Sequence, residues 1–205
     1  VEGLIICPSY LFLSDMKSDK YDLCSQNGYA TDKGAFTGEI SFYQLSSLNI
    51  KYSLIGHSER RHVFKETDED MNSKMQSCLK NNIIPVLCIG ETKEERESNR
   101  TKEVLENQLK VALKDINIID IIIAYEPVWA IGTGLIPTME EINDIHLHIK
   151  KMLKESLNID SKVLYGGSVN LGNIADITAL DNVDGVLIGG ASNDPNNLIA
   201  MYNKM

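Results

Sequence analysis

Nothing in the 205-residue chain approaches the ~18 consecutive apolar residues that a membrane-spanning helix requires. The longest candidate, Ile83 to Ile89, has the length of a strand. A basic excess is missing too: Lys and Arg total 20 against 29 for Asp and Glu, a net charge of -9. That balance speaks against a general binder of nucleic acid or membrane surfaces, so neither is an expected partner. The cysteines, Cys7, Cys24, Cys78 and Cys88, include no CxxC pair. Three of them sit in or near apolar segments, which favours reduced core thiols over disulfides. No HExxH string occurs, and His146 and His148, two apart, point to different sides of a helix; no metal is expected. Gly132-Thr133-Gly134 is not a dinucleotide fingerprint, because Pro137 stands where the third glycine belongs, and no Walker A loop exists. A secretory signal pattern and a basic amphipathic leader are also missing, so a cytoplasmic location is expected.

What is present suits a globular fold, with 43% apolar and 24% charged residues. Short apolar runs centre near Ile5, Leu23, Leu54, Val86, Ile122, Leu164 and Leu187. Those at Val86 and Ile122 are continuously apolar, as strands buried on both faces should be. Helical periodicity lies between them, with recognisable starts. Thr67 and Asp70 resemble a capping box ahead of Met71, Met75, Cys78 and Leu79. Thr92 and Glu95 open a long charged helix that turns apolar at Val104, Leu105, Leu109 and Ala112. Thr138 and Glu141 open a third, with Ile142, Ile145, Ile149, Met152 and Leu153 along one stripe. Pro195 suits the first turn of a last helix carrying Leu198, Ile199 and Met201. A βα unit recurring about every 30 residues predicts parallel strands with right-handed crossovers. Seven such units are visible, close to the eight of a closed (β/α)8 barrel, which typically takes ~250 residues. An open doubly wound sheet satisfies the periodicity as well. No linker or low-complexity tract divides the chain, so one domain over residues 1–205 is expected.

Polar clusters follow the strands directly: Gly56 to Arg60, Glu126 to Trp129, Gly166-Gly167-Ser168 and Gly189-Gly190. In a parallel α/β protein these points share the face where ligands bind. His57 taken alone is weak evidence, because a lone histidine after a strand is more often structural than functional. Ser58 lacks the second glycine of a G-x-S-x-G nucleophile elbow. Glu126, at the end of Ile121 to Tyr125, is either paired structurally or held as a base with a raised pKa. The paired glycines either make tight turns or let backbone N–H groups approach an anion.

Several longer strings carry more information together than any one alone. They are Gly34 to Glu39 (GAFTGE), Ile55 to Arg61 (IGHSERR), Cys88 to Glu91 (CIGE), Ala124 to Gly134 (AYEPVWAIGTG), Tyr165 to Asn170 (YGGSVN) and Asp184 to Ser192 (DGVLIGGAS). In this order they resemble the triosephosphate isomerase family from its second strand to its C-terminus. The resemblance implies a TIM barrel, here with about seven of eight units. It also implies cofactor-free interconversion of dihydroxyacetone phosphate and glyceraldehyde 3-phosphate, a step of glycolysis and gluconeogenesis. Glu126 would be the base and His57 the neutral electrophile, the roles this family is known for. Glu59 would be a supporting carboxylate, and Ser58 would help order the site. Backbone N–H groups of Gly132, Ser168, Gly189 and Gly190 would hold the phosphate. Pro127, Val128, Trp129, Ala130, Ile131, Gly132, Thr133 and Gly134 would form the closing lid. Thr37 would reach into a partner subunit, with Glu39 and Arg60 as the associated ion pair of a homodimer.

Two departures stand out. Leu135-Ile136-Pro137 replaces the family's frequent Lys-x-Ala at the second hinge of the lid, and proline restricts φ there. The family's first-strand Asn-x-Lys motif does not precede Val1, and Lys17, Lys20 and Lys33 lie outside any equivalent strand end. The expectation drawn from this is a truncated isomerase chain with little or no activity and a weakened dimer. The alternatives are a non-catalytic phosphate-binding or interaction protein on the same scaffold and a different phosphosugar isomerase.

Overall fold

A computed structural model describes residues 3–117 and 120–205. The chain groups into two compact units, Val1–Leu87 with Lys110–Ile121 and Cys88–Leu109 with Ile122–Met205. The elements of the first, in chain order, are β1 (Ile5–Ile6), α1 (Tyr10–Leu13), β2 (Asp22–Ser25), α2 (Phe42–Ser47), β3 (Tyr52–Ile55), α3 (Ser58–His62), α4 (Asp68–Lys80) and most of β4 (Ile84–Ile89). Every strand pair is parallel: Ile5 sits opposite Asp22, Cys24 opposite Tyr52, and Tyr52 to Ile55 opposite Ile84 to Leu87. The buried Ser25 hydroxyl donates to Ser53 Oγ at 2.7 Å, so two small polar side chains satisfy each other between strands. The expected capping box at Thr67 is formed with Asp70. It starts α4 so that Met71, Met75 and Cys78 are fully buried, while Leu79 is only half-buried.

The second unit contains the end of β4, then α5 (Lys93–Glu97), α6 (Thr101–Ala112, its last turn belonging to the first unit), β5 (Ile122–Tyr125), α7 (Met139–Leu157), β6 (Lys162–Tyr165), α8 (Ile174–Thr178), β7 (Gly185–Val186) and α9 (Pro195–Tyr202). Ile122 to Tyr125 pair in parallel with Lys162 to Tyr165, and Leu164 and Tyr165 with Gly185 and Val186. Within each unit the strands neighbour one another in chain order, without the reversal that marks a doubly wound sheet. The continuously apolar β5 is buried at all four positions, as a strand covered on both faces requires.

Two expectations need correction, and one holds. The long charged helix after Thr92 is two helices, because Asn99 takes a left-handed φ of 56° between α5 and α6. Asparagine tolerates that region better than other side chains, and one such residue ends a helix. Ile199, placed on the apolar stripe of α9, is 60% exposed; Met201 is the fully buried one. All four cysteines are unbridged, with Cys24, Cys78 and Cys88 buried as expected, and burial pushes the Cys78 thiol well up.

His146 on α7 is fully buried, edge-on to the Tyr125 ring at 5.9 Å between centroids and 6.3 Å from Tyr165. Neither ring nitrogen makes a well-aligned hydrogen bond. Burial, aided by Lys150, pushes its pKa down to about 4; Asp184 and the backbone of Asn182 and Val163 oppose this without prevailing. The unfolded chain therefore takes up a proton at this site first as pH falls. Stability from the neutral ring is complete above the ordinary value of 6.5 and is lost as pH drops towards 4. We expect about 3 kcal/mol of acid destabilisation from this group, by 1.36 kcal/mol per pKa unit. Urea unfolding of wild type and His146→Leu at pH 7 and pH 4.5 checks it. The other titrating groups cancel in the comparison, and equal pH dependence in the two proteins would refute the assignment.

Candidate active site

Each polar cluster predicted from the sequence lies just beyond the C-terminal end of a strand. Those in the first unit gather after β3. Gly56 turns the chain with φ of 73°, and a side chain there would meet Met71 Sδ at 2.6 Å. His57 is the N-cap of α3, and its Nδ1 accepts the Glu59 N–H at 3.3 Å. That use of Nδ1 as an acceptor leaves Nε2 as the ring position able to donate. Ser58 is buried, whereas the Glu59 side chain is largely exposed, with one carboxylate oxygen 3.8 Å from His57 Nδ1. Arg61 braces the turn, donating from Nε to the Gly56 carbonyl at 2.8 Å and pairing with Asp68.

The residues expected at a subunit interface also fall in this unit. Thr37 and Glu39 lie on an exposed loop. Arg60 pairs within the chain with Glu66 rather than Glu39, and Glu66 also receives the buried Lys74 ammonium at 2.7 Å. Desolvation works against the Glu66 carboxylate, yet the two cations hold it below the usual range.

In the second unit Glu126 follows β5 directly and is 2% exposed. Its backbone N–H donates to Ile89 O at 2.7 Å, extending the ladder past the named strands. A side chain on Gly166 would stand 2.9 Å from Glu126 Cγ, so the first of the paired glycines makes room for the carboxylate. The segment expected to form a lid begins at once. Pro127 leads into a 3-10 turn, Val128–Ala130, whose Ala130 is buried, and Gly132 and Gly134 take φ of 66° and 77°. Thr133 Oγ1 donates to Trp129 O at 3.2 Å and accepts the Leu135 N–H at the same distance. The Ser168 hydroxyl donates to Ala130 O and accepts the Gly134 N–H at 3.3 Å, tying this segment to the loop after β6. Pro137 is buried one residue before the N-cap Thr138 of α7, so its fixed φ falls in the connection and leaves the helix intact. Gly132, Gly189 and Gly190 all face open space where a side chain would project.

Sequence reasoning gave no role to Glu91, although it ends a quoted string. Its fully buried carboxylate accepts Trp129 Nε1 at 2.8 Å and the Tyr125 hydroxyl at 3.1 and 3.2 Å. Burial raises its pKa, with the Trp129 and Tyr125 bonds opposing. Arg96 lies over the Trp129 ring at 4.4 Å and donates to Glu141 at 2.7 Å. The Trp129 side chain is thus clamped between a buried carboxylate and a stacked guanidinium. A lone acidic residue closing the apolar run of β4 was the available signal. Among the described residues no group of three or more His, Cys, Asp and Glu could hold a metal ion.

Replacing Trp129 with Phe keeps the ring but deletes the indole donor to a buried carboxylate. We expect a loss of about 1–3 kcal/mol in urea unfolding followed by circular dichroism. Unchanged stability would mean that the bond to Glu91 contributes nothing net.

The family model described as triosephosphate isomerase matches residues 2–205. A triosephosphate isomerase of Mesomycoplasma hyorhinis is 50% identical over 173 residues, covering 84% of this chain and 70% of that protein. One from Thermodesulfovibrio yellowstonii is 48% identical over 177 residues, covering 84% and 72%. One from Clostridium botulinum is 41% identical over 211 residues, covering 98% and 85%.

Proposed function

Because the chain belongs to the triosephosphate isomerase family, with its TIM-barrel α/β fold, we propose that it interconverts dihydroxyacetone phosphate and glyceraldehyde 3-phosphate without a cofactor. The observation that carries this reading is Glu126, dry and fixed at the rim of β5, with a lid rising from the next residue. A proton beside a carbonyl is weakly acidic, so its removal needs a placed base and donors aimed at the oxygen that gains charge. Glu126 takes the proton from one carbon and returns it to the neighbouring one. His57, whose Nδ1 accepts the Glu59 N–H, donates from Nε2 to the oxygen of the enediol(ate). Ser58 and Glu59 support the histidine turn. Backbone N–H groups of Gly132, Ser168, Gly189 and Gly190 hold the phosphate, and lid closure keeps water from the intermediate. The parts act as one barrel domain spanning 1–205.

A homodimer completes the reading. Leu11, Phe12, Phe36, Val63 and Phe64 of the first unit are between 42% and 81% exposed, and exposed apolar side chains in this number mark an association surface. In sedimentation, Phe64→Asp is expected to shift the protein towards monomer. A dimer of unchanged stability would exclude this surface.

Steady-state kinetics test the chemistry. Shortening the base in Glu126→Asp displaces the carboxylate and should lower kcat by ~10²-fold. Removing the donor in His57→Gln should lower it by ~10²–10³-fold. Gly190→Val places its side chain in open space and should fold normally while raising KM for the phosphorylated substrate. Near-wild-type turnover in the first two would defeat the assigned roles. Phosphate-analogue binding without turnover in wild type would instead favour a non-catalytic phosphate-binding protein.

A further inference from the structure

We propose that Gln108 is a positioning residue for Glu126, acting through Gly90; this rests on the reading of Glu126 as the base. Gln108 belongs to α6, where Leu105 and Leu109 are fully buried and fix the rotation of the helix. Its carboxamide makes two bonds to one residue beyond β4: Oε1 accepts the Gly90 N–H at 2.9 Å, and Nε2 donates to Gly90 O at 3.0 Å. A planar amide meeting a peptide unit in this way reproduces the paired bonds of a neighbouring strand, so Gly90 is held although it lies past the named strand.

Gly90 in turn abuts the base. A Cβ built there would fall 1.7 Å from Glu126 O, 2.6 Å from its carbonyl carbon and 3.3 Å from its Cα. No side chain fits, and the Glu126 backbone rests on the bare Cα. The Ile89 carbonyl beside Gly90 accepts the Glu126 N–H, and the Glu91 carbonyl on its other side accepts the Val128 N–H at 3.0 Å. Residues 89 to 91 therefore form a seat with Glu126 across it, and Gln108 is the side chain that grips the seat at its centre. A slack seat moves the carboxylate relative to the carbon it must deprotonate, and displacement of that kind lowers turnover more than substrate binding.

The test uses Gln108→Met, which keeps length and volume but loses both bonds, and Gln108→Glu, which keeps the acceptor for Gly90 N–H. For Gln108→Met we expect kcat to fall ~10–10²-fold with KM little changed. We expect Gln108→Glu to recover part of the loss. Hydrogen exchange is read beside kinetics: the Glu126 amide should exchange faster in Gln108→Met, while the Leu187 amide, bonded to Tyr165 O at 2.9 Å, should not. A lowered melting temperature with wild-type kcat and unchanged Glu126 exchange would overturn the proposal and leave Gln108 a packing residue. If Gln108→Met does not fold, Gln108→Glu carries both measurements. Glu126→Gln separates the two ideas. Activity surviving in it sinks the base reading, whereas activity lost there and kept in the Gln108 variants sinks only this inference.

Discussion

The site depends on how closely two strand ends can approach. The Glu126 backbone can sit where it does because Gly90 has no side chain, since any Cβ at that position would occupy the space of the Glu126 carbonyl. Gly166 performs the same service on the side-chain face, where Glu126 Cγ lies against it. A carboxylate at a strand rim usually keeps one side in water. Here Gly90 lies against the Glu126 main chain and Gly166 against its side chain, so two glycines bring neighbouring backbone up to the residue on both sides.

The segment after Glu126 is anchored beside that arrangement. Tyr125, which precedes Glu126, and Trp129, which follows it by three, both donate to the Glu91 carboxylate. Two donors hold a buried acid that desolvation alone would drive towards its neutral form. Past Ala130, Gly132 and Gly134 occupy left-handed conformations, and the Ser168 hydroxyl joins this segment to the loop after β6. The unusual Leu135-Ile136-Pro137 stretch lies beyond this tether and just ahead of the N-cap of α7, where a fixed φ suits the helix entry.

Much of this was legible in the sequence because strand burial and helix starts leave local marks. The runs at Val86 and Ile122 were apolar at every position, and the strands they form are buried on both faces. Capping boxes at Thr67, Thr92 and Thr138 all formed, since their donors and acceptors lie within one turn. The break at Asn99 was not legible, because a single left-handed residue in a charged stretch barely alters periodicity. Ile199 misled because its spacing fits the apolar face while its surroundings leave it in solvent. Glu91 and Gln108 escaped for a different reason. Their partners stand 34 to 38 and 18 residues away, so nothing local announces them.

Long-range partners also decide what the buried ionisable groups do. His146 and Glu91 both flank Tyr125, one touching its ring and the other its hydroxyl. Burial favours the neutral form of each, lowering the histidine pKa and raising that of the carboxylate. The Tyr125 ring lies against His146 and Tyr165 while its hydroxyl is directed at Glu91, the carboxylate that also accepts from Trp129. The last residue of β5 is thereby oriented from both sides, by ring packing on α7 and β6 and by a hydrogen bond just past β4, immediately before Glu126.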